Sequence, residues 1–115
     1  MEVVIGSGVV YECQMRFSIH VDAGYLYAAL ATRETGSSYR HGIQVDEKAL
    51  IAELIEMAAA DCRADLLRLL WYDAAKDSRP SHDQRRIGLL DGVRLRLGRI
   101  NAFGEQKGVD LRLEQ

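Results

Sequence analysis

The segment "DLLRLLWYD", Asp65 to Asp73, is nearly continuous apolar sequence of strand length. A run like this suits a strand covered on both faces, which requires a layer on each side of a sheet. Its periodicity alone also permits a helix, so its neighbours carry the argument. "RFSIHV" alternates Phe17, Ile19 and Val21 against Ser18 and His20, and ends at Asp22. "GVRLRLG" alternates Val93, Leu95 and Leu97 against Arg94 and Arg96, the pattern of a half-buried strand.

Helical segments separate these strands. "AGYLYAALATR" places Leu26 and Leu30 on one face with Arg33 near its end, and the polar loop "ETGSSYRHG" comes next. Asp46 suits an N-cap and Glu47 a first turn; Leu50, Leu54, Met57 and Ala58 then form an apolar stripe reaching about Cys62. Pro80 lies in "AKDSRPSHD", a loop leading into a short helix near residues 82 to 90. Gly98, Gly104 and Gly108 punctuate the remainder, and a last helix is expected from Val109. Strands joined through helices imply crossover connections and an α/β fold, a three-layer sandwich around a mainly parallel sheet of Rossmann-like type. The 115 residues make one domain, near the lower end for a complete sandwich of this kind.

The first residues, "MEVVIGSGVVYEC", invite a dinucleotide-binding reading, but Tyr11 occupies the position of the third glycine in G-x-G-x-x-G. The residues after the glycines are β-branched, so a hairpin is expected and no dinucleotide cofactor. Residues 1–14 can alternatively be a leader before a start at Met15. No basic region precedes the apolar run, which excludes a signal peptide, and no membrane span is expected. Cys13 and Cys62 are far apart and His20, His41 and His82 are dispersed, so two buried free thiols in a cytoplasmic protein are expected, without zinc or a disulfide.

Ligands of open parallel sheets collect at the carboxyl ends of the strands. Asp22 and Asp73 end two strands, and Asp110 opens the last helix after a glycine turn. Three carboxylates converging on one edge call for a cation, and oxygen-only ligands suit Mg²⁺ or Mn²⁺. Each also has a structural alternative: an N-cap for Asp22, a turn for Asp73, a first-turn acid for Asp110. The net charge of −2 excludes a global basic field, so a nucleic-acid partner must be met by a local patch. Arg94, Arg96 and Arg99 are the best candidates for phosphate contacts, and Tyr25, Tyr27 and Tyr72 could stack bases, with Trp71 read as core. A solvated edge strand explains the arginines equally well.

"FSIHVDAGYLYAA", "WYDA", "GVRLRLGRI" and "QKGVDLRL", in this order and spacing, resemble the N-terminal part of the NYN domain family of PIN-like nucleases. The match spans roughly Arg16 to Gln115, so a leader or extra hairpin over 1–14 would precede a partial NYN domain over 15–115. The resemblance implies a metal-dependent ribonuclease, with Asp22 and Asp110 as catalytic, metal-binding carboxylates and Asp73 as an acidic neighbour. It also implies that Lys107 could steady a phosphate of a single-stranded RNA, with a solvated lysine beside a turn as the alternative. Two departures stand out: Tyr25 replaces an asparagine common in the family, and the family's S-G-D-x-D segment does not occur. A truncated, weakly active domain is therefore expected, prone to self-association through the unpaired edge of "RFSIHV" unless the N-terminal hairpin covers it. The alternative is a catalytically silent RNA-binding or protein-interaction module on the same scaffold. A phosphatase-like or nucleotide-binding domain shares only the sheet-edge aspartates.

Overall fold

The computed structural model describes residues 2–6, 8–75, 79–100 and 106–107. It is an α/β fold. Six strands form one mixed sheet in sequence order: β1 (Glu2–Gly6), β2 (Val9–Glu12), β3 (Arg16–Asp22), β4 (Asp65–Ala75), β5 (Val93–Ile100) and β6 (Gln106–Lys107). Only β3–β4 and β4–β5 pair in parallel; β1–β2, β2–β3 and β5–β6 are antiparallel. The expected mainly parallel sheet is thus confined to its centre. Helices α1 (Ala23–Thr35) and α2 (Glu47–Cys62), with a 3₁₀ turn at Arg40–Gly42 between them, connect β3 to β4, and α3 (His82–Gly88) connects β4 to β5.

The helix caps are built from neighbouring residues. Asp22 and Asp46 accept the Tyr25 and Ala49 N–H groups at 3.1 Å, opening α1 and α2. Ser81 and Gln84 exchange side-chain and backbone bonds in a capping box that starts α3. Gly36 closes α1 in the left-handed region that glycine adopts freely.

The apolar run of β4 has a different cause from the one expected. Phe17 pairs with Leu66 and Ser18 with Arg68, so Leu67 is an extra residue at a β-bulge. The bulge shifts the alternation by one, and Leu66 and Leu69 both turn to the core side. Beyond it β4 buries Leu69, Trp71, Asp73 and Ala75 on the core side, with Tyr72 buried on the other.

That core joins Val9, Tyr11, Phe17, Ile19, Val21, Leu69, Trp71 and Val93 from one side of the sheet to the buried residues of all three helices. Among the described residues the fold has two layers where three were expected. The physical reason is handedness: both parallel connections step the same way across the sheet, and right-handed crossovers then place their helices on the same face. The expected helix from Val109 lies outside the described residues. On α2 the buried stripe is Ile51, Leu54 and Ala58, while Met57, expected in it, is exposed.

Strands β1 and β2 belong to the same sheet as the rest of the chain. The apolar part of "VVIGSG" lies in β1, and β2 follows from Val9: Gly6 and Gly8 take φ of 85° and 84°, and β2 pairs along β3, covering the edge that would promote association. The expectation of free thiols is overturned, because Cys13 and Cys62 form a disulfide with Cα atoms 5.0 Å apart. The antiparallel turn-back of β2 brings Cys13 to the sheet end where α2 finishes, a proximity invisible in a separation of 49 residues. Beside it, the Tyr11 hydroxyl donates to Asp61 at 2.5 Å. No described helix is long and apolar enough to cross a membrane.

Candidate functional site

The carboxyl ends of β3 and β4 lie side by side, but they present their aspartates differently. Asp22 pairs with Tyr72, and Tyr72 with Arg96, forming one transverse row across β3, β4 and β5. Because register partners share a side of the sheet, this row lies opposite the core. Asp22 is 6% exposed; its Oδ1 holds the Tyr25 N–H, and its own N–H donates to the Gly8 carbonyl at 2.7 Å. Tyr25 itself projects outward, 61% exposed, at the start of α1.

The same side carries Arg94 and Arg96, both exposed as their alternation predicted, together with the exposed Arg68 of β4. Tyr72 lies among them, buried, its ring stacked on His20 with centroids 6.1 Å apart and its hydroxyl 3.4 Å from His20 Nδ1. The row thus combines a carboxylate, an aromatic ring and a guanidinium. Arg68 was overlooked because it is interior to an apolar run; only the bulge assigns its side.

Asp73 is one residue further along β4 and therefore on the core side, 1% exposed. Its Oδ1 accepts from Arg40 Nη1 at 3.2 Å and the Ala74 N–H at 2.8 Å; its Oδ2 accepts from Arg40 Nη2 at 3.3 Å and Gln84 Nε2 at 3.0 Å. These four bonds take up the carboxylate's acceptor capacity, and a cation could reach Asp73 only by displacing Arg40 or Gln84. Gln84 Nε2 also holds the Ala74 carbonyl at 2.8 Å, and the Arg40 guanidinium lies 4.1 Å from the centre of the Tyr27 ring. The Tyr27 hydroxyl donates to Glu47 Oε2 at 2.7 Å. Burial first, and then the Glu47 hydrogen bond and charge, hold the Tyr27 pKa above its ordinary 10.0.

These groups line a cleft of about 670 Å³ on the core side, between the 3₁₀ turn and α3. Sequence reasoning missed Arg40 and Gln84 as its organisers. Arg40 sits in a polar loop without periodicity; Gln84 was legible only as the last residue of an S-x-x-Q capping box.

The remaining predicted residues are dispersed or not described. Lys107 lies in β6, in register with Arg99, where a helix opening was expected. Asp110 lies outside the described residues. Among the described residues no group of three or more His, Cys, Asp or Glu side chains could hold a metal ion. Carboxylate chemistry suits Mg²⁺ or Mn²⁺, but Asp22 and Asp73 lie on opposite sides of the sheet and do not form such a site by themselves. The chain matches no protein-family model, no curated protein and no solved structure.

Proposed function

We propose that the chain is an RNA-directed domain of the NYN type, a metal-dependent ribonuclease acting on single-stranded RNA. The observation that supports this reading is the row Asp22–Tyr72–Arg96, flanked by Arg94 and Arg68 and bordered by the exposed Tyr25. Arginines on this side would contact phosphates, and Tyr25 would stack a base beside Asp22. Asp22 and Asp110 would hold Mg²⁺ or Mn²⁺, while Lys107 and Arg99 share the register row of Ala75, on the other side of the sheet from Asp22 and Arg96. The metal, when bound, supplies a water of lowered pKa and shields charge on the phosphate. In this reading the domain takes the three-layer, PIN-like form.

The test is calorimetric titration with Mn²⁺ together with cleavage of a labelled single-stranded RNA. Asp22→Asn should weaken metal binding and cleavage, and Asp73→Asn should affect metal binding less. Equal effects of the two substitutions would count against Asp22 as the metal carboxylate.

A second reading, a catalytically silent RNA-binding module, is favoured by the four hydrogen bonds that engage Asp73. RNA binding with no Mn²⁺-dependent cleavage would select it. Molar mass measured in the same buffers reports self-association.

A further inference from the structure

The N-terminal hairpin reaches the proposed site directly. Gly8, in its turn, accepts the Asp22 N–H, and a Cβ at Gly8 would fall 2.8 Å from the Asp22 carbonyl oxygen, 3.2 Å from Tyr25 Cβ and 3.3 Å from the Leu26 N. With φ of 84° as well, this position admits glycine and little else. From Gly8 the chain continues as β2, pairs along β3 and reaches Cys13, whose disulfide to Cys62 ties it to the end of α2. The hairpin is therefore held at one end by a covalent bond and at the other by the backbone of Asp22.

We propose that this hairpin is a positioning element for Asp22, with Gly8 as its contact residue, and that the Cys13–Cys62 bond makes the order of the Asp22 site redox-responsive. The importance of Asp22 rests on the RNA reading above; the mechanical coupling does not. A dithiol reductant opens the bond by exchange, transferring two electrons and two protons: the protein gains two thiols and the reductant becomes a cyclic disulfide. With the bond open, β2 keeps its ladder to β3 and its buried Val9 and Tyr11, so the hairpin loosens without leaving the sheet. The loosening is transmitted to the Gly8–Asp22 contact.

Amide hydrogen exchange on the whole chain, before and after treatment with dithiothreitol, tests this. On reduction the Asp22 amide should accelerate roughly tenfold more than the Leu69 amide, whose own acceleration carries the global loss of stability. Leu69, fully buried in the core, donates to the Gly92 carbonyl at the start of the β4–β5 ladder and reports global opening. The amide shift of Tyr25, whose N–H donates to Asp22, should move on reduction, while that of Ala49, capped in the same way by Asp46, stays in place. The double variant Cys13→Ser/Cys62→Ser should reproduce the reduced state and no longer respond to the reductant. In the oxidised protein, Gly8→Ala should move the Tyr25 shift by itself. Equal acceleration at Asp22 and Leu69, with an unmoved Tyr25 signal, would overturn the proposal by showing that the bond acts on global stability alone. None of these measurements needs metal or RNA, so their outcome is separate from that of the ribonuclease reading.

Discussion

Tyr27 and Asp73 show how single side chains hold the edge of this sheet together. Burial and Glu47 keep Tyr27 protonated beyond its ordinary range. Above pH 10 the unfolded chain releases this proton while the folded chain keeps it, so stability falls as pH rises. The full contribution is present below pH 10. Tyr27→Phe should flatten the alkaline decline by up to about 1.4 kcal/mol per pH unit, measured by urea unfolding between pH 9 and 11. Asp73→Asn leaves the Arg40 guanidinium without its counter-charge; because Arg40 is 32% exposed, a loss of about 2 kcal/mol is expected, less than for a fully buried pair. Asp22→Asn should cost under about 1 kcal/mol, since asparagine caps a helix as well as aspartate. Denaturant midpoints of the two variants check the contrast.

At the level of elements, β5 behaves as its alternation said, and β4 does not. Val93 is buried while Arg94 and Arg96 lie on the opposite side, so β5 offers two cations on one side. Replacing both with glutamine should weaken single-stranded RNA binding and reduce the slope of log affinity against log salt by about 1.4, from two charges at roughly 0.7 each. Fluorescence anisotropy across a salt series measures both quantities; an unchanged slope would leave the arginines as solvated surface. β4 differs because the bulge at Leu67 resets its alternation, making a phase shift resemble two-sided burial.

For the whole molecule, the Cys13–Cys62 bond and the hairpin it anchors are the long-range constraints. Closing a loop across 49 residues contributes about 4 kcal/mol on the chain-entropy account. Reduction should therefore lower Tm by roughly 15 to 20 °C, read by thermal melts with and without dithiothreitol. Deleting residues 1–14 removes both the anchor and the strand that covers β3. The shortened chain should associate through the newly opened edge, with a rise in molar mass by light scattering. A monomeric shortened chain would show that the hairpin is not needed as an edge cover.

The sequence by itself determined the local features. Alternation set β3 and β5, Asp46 and Ser81 set helix starts, and the glycines of "VVIGSG" set a hairpin. Each depends on residues within a turn or a few strand positions, where the side-chain period of two or 3.6 and one capping oxygen suffice. Only the tertiary structure decided which sides and which partners. Asp22 ends β3 and Asp73 lies two residues before the end of β4, yet the β3–β4 register sets Asp22 opposite Tyr72 and leaves Asp73 on the core side, held by Arg40 from a loop 33 residues away. Cys13 meets Cys62 because β2 folds back along β3, and the helices share one face because both crossovers step the same way. Register and chain return are properties of paired strands rather than of either strand alone, which is why no single stretch of this sequence contains them.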